Sequence, residues 1–338
     1  MQRPRTYWRR FADAVRASEN LGPILLSVLI GAGAGVAAIG FRRLIALMQS
    51  LFLGSMGDAC GHWIGALWPI PVLALGGLLV GLITRYLAPE TKGHGVPEVM
   101  LAVAHQGGRI RARVTFVKAL AAALTIGSGG SAGREGPIVQ IGSAFGSAVA
   151  QLFRLPGRRV ILSVACGAAG GIAAAFNAPL AGVIFALEVI LSRFTALSFG
   201  LVVMSSATAT VVARALSREG DSPAFAVFSD YTMHGVWDLL FFIGLGILCA
   251  LLARIYVRAL YAVEDVTDEV KLPEILKPAI GGALVGAVAI FAPQIMGTGY
   301  ATIELALNNQ MGLQLLFVLC ATKLVCTCLR IGTGGSGV

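Results

Sequence analysis

Long apolar stretches, separated by short clusters of glycine and proline, recur along the whole chain. A membrane-spanning helix needs about 20 mostly apolar residues. Four stretches approach this length: 23–39, 64–83, 236–253 and 276–293. Shorter apolar segments between them end at glycine- or proline-containing breaks. The pattern predicts an all-α polytopic membrane protein in which some helices are broken.

Composition supports this class. Of the 338 residues, 57% are hydrophobic and only 13% are charged. A soluble domain carries roughly a quarter charged residues, so this chain has too little charge to cover a surface that faces water. We therefore expect its surroundings to be the lipid bilayer.

The basic charge of the chain, formally +9, is the kind of excess that can indicate a nucleic-acid partner. The segment before the first apolar stretch, however, contains Arg3, Arg5, Arg9, Arg10 and Arg16. Basic residues at this place are typical of a cytoplasmic flank, so we interpret residues 1–20 as a cytoplasmic N-terminal arm and expect no nucleic-acid partner. The four histidines and six cysteines show no ligand spacing, and we expect neither a metal nor a cofactor.

The chain contains an internal repeat. Three blocks of the first half recur in the second half in the same order: 75–81 (LGGLLVG) as 280–286 (IGGALVG), 87–95 as 291–299, and 126–133 (IGSGGSAG) as 331–338 (IGTGGSGV). Residue 75 matches residue 280 and residue 87 matches residue 291, which are offsets of 205 and 204. Lys118 and Lys323 also lie 205 residues apart. We divide the chain into a first membrane repeat, 21–215, and a second, 235–338, with a site expected at their interface, as in transporters built from repeats.

The glycine- and proline-rich breaks indicate the charge of a ligand. Pro97 and Pro137 each follow glycines at a predicted helix start, a position that suits proline because its missing N–H would have no partner there. The neighbouring amides stay unpaired at the positive end of the helix dipole, and inside a bilayer they need a partner. A small anion can provide it. Each break alone is equally compatible with a turn between two spans.

The segment 127–133 also resembles a dinucleotide-binding fingerprint. No predicted strand precedes it, and Ala132 replaces the third glycine of that pattern. We therefore disfavour a nucleotide site.

Several motifs resemble those of the CLC chloride channels and transporters. They are Gly133-Arg-Glu-Gly-Pro137 with the following Ile138–Gly142, the segment Ala173–Gly182 continuing to Glu188, Gly93-His-Gly-Val-Pro97, and Ser336-Gly337-Val338. The resemblance covers nearly the whole chain after the arm. It implies a homodimer with one pore per subunit, inverted repeats, broken helices whose N-termini meet at an anion site in mid-membrane, and chloride or other small monovalent anions as the transported species.

The resemblance also implies a gate and an outer anion site. Glu135 would be the gate, with its carboxylate occupying the outer site when ionised and leaving when protonated or displaced. Backbone N–H groups near Arg134, Glu135 and Gly136 would form that site, and the Arg134 side chain would support the loop rather than contact the anion. Without the motif, Glu135 is an acidic residue in the first turn of a helix, stabilised by the helix dipole.

A central anion site is implied between the two halves. Its predicted residues are His94, Gly95, Val96, Gly337 and Val338. The family usually has serine where this chain has His94. An imidazole N–H can also donate a hydrogen bond to an anion, and its charge can respond to pH. Alternatively, the ring points away and only backbone amides bind the anion. Lys118 is an intramembrane charge and a functional candidate; structural pairing and a background positive potential are alternatives to direct contact.

A second departure concerns proton coupling. The family's exchangers usually have a second glutamate after Glu188, and this chain has Val189. We therefore predict a voltage- or pH-gated chloride channel, with an H⁺/Cl⁻ exchanger as the alternative. An intramembrane enzyme and a non-transporting scaffold are alternatives from other classes; no nucleophile motif supports the first, so we expect no enzyme, and paired helix breaks disfavour the second.

The sequence ends at Val338, inside the third motif, so we interpret the second repeat as incomplete here and see no regulatory domain. The expected location is a bacterial inner membrane.

Overall fold

The described residues form helices joined by short loops. The computed structural model describes residues 21–192, 194–217 and 235–337. The first half contains α1 (Leu21–Gln49), α2 (Gly57–Ile64), α3 (Pro69–Tyr86), α4 (Val96–His105), α5 (Arg113–Gly127), α6 (Glu135–Leu152), α7 (Gly157–Phe176), α8 (Pro179–Phe185) and α9 (Ala196–Leu216). The second half contains α10 (Asp238–Glu269), α11 (Lys277–Ala289), α12 (Tyr300–Leu307) and α13 (Leu313–Gly332). The predicted arm, 1–20, and Val338 lie outside the described residues.

Six helical stretches of the described chain are long and apolar enough to cross a membrane. The longest runs from Leu21 to Leu67, because a π-helical turn over Ser50–Met56 joins α1 to α2 and a 3₁₀ turn over Gly65–Leu67 follows α2. The predicted stretch 64–83 is shifted in the structure, since α3 begins at Pro69 and extends to Tyr86. The prediction for 276–293 is wrong in length: α11 has only 13 residues, because the chain leaves the helix before Pro293 and forms a short 3₁₀ turn there.

The repeat predicted from sequence is visible as a two-fold relation between α3 and α11. A Cβ atom added to Gly77 would lie well under 3.0 Å from the Pro278 carbonyl, and one added to Gly282 would lie as close to the Leu73 carbonyl. Gly77 corresponds to Gly282, and Leu73 to Pro278, so exchanging the two halves exchanges the two contacts. Glycine is needed at both places because the two backbones touch.

Helices α6 and α7 form the centre of the first half. Gly142 faces the carbonyl of Gly167, and Gly167 faces the carbonyl of Gly142, at distances that leave no room for a side chain on either. Around this crossing lies an apolar cluster that includes Ile30, Val164 and Val202 from α1, α7 and α9. This packing fixes the direction of α6 and hence the place of its N-terminus.

Candidate functional site

Glycines in left-handed backbone conformations build the breaks before α4 and α12. Gly93 and Gly95 have φ of 80° and 101°, and their counterparts Gly297 and Gly299 have φ of 63° and 81°. Residues with a Cβ rarely adopt these angles. α4 then begins at Val96 with Pro97 in its first turn, which confirms the predicted helix start.

Each half also has a second glycine-rich break, at 127–137 in the first half and 332–337 in the second. The breaks of the two halves are joined by backbone hydrogen bonds. Gly93 N–H donates to Gly335 O at 3.1 Å, and Gly337 N–H donates to Gly93 O at 3.3 Å. On the other side of the two-fold relation, Gly297 N–H donates to Gly129 O at 3.2 Å, and Gly129 is one residue before the counterpart of Gly335. The two halves are therefore held together at their breaks, inside the protein.

Helix N-termini meet at this place. A Cβ atom on Gly95 would lie 2.7 Å from Gly136 O, so the starts of α4 and α6 are adjacent. Gly337 similarly approaches Ala132, and its added Cβ would lie 2.6 Å from the Ala132 Cβ. The starts of α4 and α6 thus lie together beside the second-half segment that contains Gly337, in agreement with the predicted meeting of broken segments from both halves.

Two of the backbone N–H groups predicted to bind an anion, those of Gly95 and Gly337, donate to acceptors within the protein. Gly95 N–H donates to Glu98 Oε2 at 2.7 Å, and Gly337 N–H is bonded to Gly93 O as above. The first bond of α6 runs from Ile138 N–H to Arg134 O. The amides of Glu135 and Gly136 therefore precede the regular helical bonding and lie at the positive end of the helix dipole.

Glu135 is in contact with the second half of the chain. Tyr300, the first residue of α12, donates its hydroxyl hydrogen to Glu135 Oε1 at 2.5 Å, and the Arg134 guanidinium carbon lies 4.6 Å from the centre of the Tyr300 ring. Sequence reasoning missed Tyr300. The available signal was its place directly after Gly299, where the first repeat has Val96 and a helix start.

Lys118, which is buried, and Lys323, which is half-buried, form equivalent clamps. Lys118 Nζ donates to the carbonyls of Thr91 and Gly93 at 3.2 and 2.8 Å, and Lys323 Nζ donates to those of Ile295 and Gly297 at 2.8 and 2.6 Å. Thr91 and Gly93 precede Ile295 and Gly297 by the repeat offset of 204. For Lys118, the structure therefore shows the structural pairing that was one of the three alternatives.

His94 pairs with an acidic residue of α10. Its Nε2 lies 3.0 Å from Glu264 Oε1, and the side chains are only 16% and 29% exposed. Glu264 lies one turn after Leu260, the one buried residue in the described part of α10, so both point toward α13. Sequence reasoning missed Glu264. The sequence feature that could have indicated Glu264 is its position four residues, about one helical turn, after Leu260.

Val189 and Glu188 occupy different surroundings. Val189 packs partly buried against the apolar cluster around α7, whereas Glu188 is exposed. The divergence of these neighbouring side chains matches the angular separation expected on a helix.

Arg330 is a fully buried charge that sequence reasoning missed. Its Nη1 donates to Pro278 O at 3.0 Å, and the guanidinium lies against the repeat-related glycines Gly77 and Gly282. Its counterpart in the first repeat, 205 residues earlier, is Thr125. The arginine inside an apolar segment was the signal.

Together, the two-fold-related halves, the broken helices and the meeting N-termini define an inverted-repeat membrane transport protein. The chain belongs to the voltage gated chloride channel family, or CLC family, whose model matches residues 76–337. It is an integral, multi-pass membrane protein of a family of chloride channels and transporters.

Curated relatives and solved structures agree with this family. The chain is 31% identical over 323 residues to the voltage-gated ClC-type chloride channel ClcB of Escherichia coli O157:H7 (strain EC4115 / EHEC), covering 93% of this chain and 75% of that protein. It is 28% identical over 324 residues to a ClcB-like chloride channel protein of Ralstonia nicotianae, covering 93% and 74%.

Solved structures of transporters share the fold, among them the following two. The structure of a slow cyanobacterial Cl⁻/H⁺ antiporter matches with a TM-score of 0.82 and 24% identity, covering 95% of this chain and 76% of that one. A CLC-type fluoride/proton antiporter matches with a TM-score of 0.79 and 22% identity, covering 95% and 78%.

Proposed function

We propose that this protein conducts chloride and other small monovalent anions along a path past the meeting helix N-termini, with Glu135 as the gate. The observation that carries the proposal is the position of Glu135 at the start of α6, beside Gly136 and its helix-start amide. A carboxylate and a chloride ion compete for such amides because both are anions. When the Glu135 carboxylate moves away from these amides, the path for the anion would therefore open.

Flux measurements test the gate directly. In liposomes that contain the purified protein, anion flux should rise as the pH falls, because protonation removes the charge that keeps the carboxylate at the amides. Glu135→Gln imitates the protonated form and should give high flux that is nearly independent of pH. Glu274→Gln is the matched control, since Glu274 forms an exposed ion pair with Arg85 at 3.2 Å. An unchanged pH dependence in Glu135→Gln would remove Glu135 from the gate.

We favour a channel over an exchanger because of Val189. This residue offers no protonatable group at the place where exchangers of the family usually have one, and Glu188 is directed elsewhere. A channel's reversal potential should follow the anion gradient at about 59 mV per tenfold for a monovalent ion, the Nernst slope for a single charge. An added pH gradient should leave this potential unchanged. Proton movement against its gradient, driven by the chloride gradient, would refute the proposal that the protein is a channel.

H⁺/anion exchange is the second candidate. It is favoured by the titratable pair of His94 and Glu264 beside the breaks, at 3.0 Å from each other. The same reversal-potential measurement decides between the candidates, because an exchanger shifts its potential with the pH gradient.

The proposed assembly is a homodimer in a bacterial inner membrane, with the arm 1–20 in the cytoplasm. Chemical cross-linking in the membrane should yield a two-subunit product. A single cysteine introduced in the arm, on a background without accessible native thiols, should react with a membrane-impermeant thiol reagent only after the cells are opened.

A further inference from the structure

The contact between His94 and Glu264 restricts what the imidazole can donate. The carboxylate of Glu264 can only accept when ionised. The 3.0 Å bond to Nε2 therefore requires the ring hydrogen on Nε2. A neutral imidazole carries one such hydrogen, so Nδ1 of neutral His94 presents a lone pair, which repels an anion.

A second proton reverses this situation. It turns Nδ1 into a donor and gives the ring a positive charge, which Glu264 balances from the other side. We propose that His94 and Glu264 form a proton-linked anion site, in which a monovalent anion binds beside His94 together with one proton. The inference rests on the proposed function, because it assigns a chemistry to one site of the same anion path.

Other charged groups near His94 are already bound to other partners. Lys92 lies 4.0 Å from Asp268, and Lys118 binds the Gly93 carbonyl. Glu98 accepts the amide hydrogen of Gly95. From α10, Tyr261 presents its ring at 6.4 Å from the His94 ring.

Tyr256, one turn before Leu260 on α10, packs beside α13 against the apolar cluster of Leu260 and Ile331. Among the described residues, Glu264 is therefore the carboxylate that contacts the imidazole.

The proposal has a measurable thermodynamic consequence. If anion and proton bind together, each raises the affinity of the site for the other by the same factor. Where the unoccupied imidazole is neutral, anion affinity should fall by up to about tenfold for each unit of rising pH, and each bound chloride should bring up to about one proton from solution. A site made of backbone amides alone shows neither effect.

Calorimetry of chloride binding tests this in the purified full chain. Glu135→Gln serves as the background because Glu135 itself exchanges protons when an anion displaces it. Repeating the titration in buffers of different ionisation enthalpy gives the number of protons taken up per chloride. We expect uptake in the Glu135→Gln protein and none after His94→Ser is added.

Two further double variants separate the carboxylates. Glu264→Gln should move the uptake to lower pH, because the imidazolium loses its balancing charge. Asp268→Asn is the matched control, since Asp268 lies one turn further along α10 and is paired with Lys92; it should behave like the Glu135→Gln background.

The outcomes separate this inference from the proposed function. Chloride binding without proton uptake in the Glu135→Gln protein would overturn the proton-linked site alone. Uptake that persists after His94→Ser would also overturn it. No chloride binding in any variant would refute the anion path itself, and this inference with it.

Discussion

The hydrogen bond from Tyr300 to Glu135 links the gate to the second half of the protein. Tyr300→Phe removes the hydroxyl group, which interacts with both Glu135 and Arg134, and keeps the ring beside Arg134, so the substitution tests the hold of this hydroxyl on the gate. The donated hydrogen stabilises the ionised carboxylate more than the protonated one. Its loss should therefore favour protonation of Glu135 and opening of the path.

The size of the effect follows from the charge of the acceptor. A hydrogen bond to a charged group contributes about 1.5–3 kcal/mol. We use the lower value because Glu135 is partly exposed and solvent screens its charge. One pH unit corresponds to about 1.36 kcal/mol, so the pH of half-maximal flux should rise by about one unit.

The assay is chloride flux from liposomes over a range of pH. In Tyr300→Phe, flux at a pH well above the wild-type midpoint should increase about tenfold, because the carboxylate is protonated at a higher pH. Tyr86→Phe is the control, since Tyr86 is 74% exposed at the end of α3. A midpoint that is unchanged or lower in Tyr300→Phe would show that the hydroxyl does not hold the gate.

Two further predictions concern the framework. Lys118→Met removes one of two donors from each of two loop carbonyls, since Gly93 O also accepts from Gly337 N–H and Thr91 O from Ser336 Oγ. It should lower the free energy of unfolding by about 0.5–1.5 kcal/mol for each lost bond, seen as a lower midpoint of thermal denaturation in detergent. Lys323→Met should act in the same direction, and an unchanged midpoint in both would refute the clamps. Gly77→Ala puts a Cβ against backbone and should destabilise by about 1–3 kcal/mol or more, whereas Gly40→Ala, with open space around it, should not; equal effects would contradict the close α3–α11 contact.

The repeat and the helix breaks could be predicted because they depend on local backbone chemistry. Gly93 and Gly95 adopt backbone angles that few other residues accept, and Pro97 suits a first helical turn. Such requirements restrict the residue type at a fixed position. They therefore remain visible in the sequence, and the second copy of the pattern at Gly297 and Gly299 makes chance similarity a poor explanation.

The partners of the site residues could not be predicted in the same way. Tyr300 reaches Glu135 across 165 residues, and Glu264 reaches His94 across 170. Neither contact imposes a backbone requirement on its residues. Both depend on how the second half docks against the first, which periodicity does not report.

The buried cations connect the broken helices to the choice of an anion. Breaking a helix inside a membrane exposes carbonyl groups as well as amides, and both need partners. Lys118 and Lys323 donate to carbonyls at the breaks, and Arg330 donates to the Pro278 carbonyl in the first turn of α11. A carbonyl oxygen is neutral, so it accepts these hydrogen bonds and leaves the positive charge of the donor in place. An ionised carboxylate would instead neutralise that charge. We therefore expect a positive potential near the adjoining helix starts when the Glu135 carboxylate is protonated or displaced, and an anion is the mobile species that such a potential attracts.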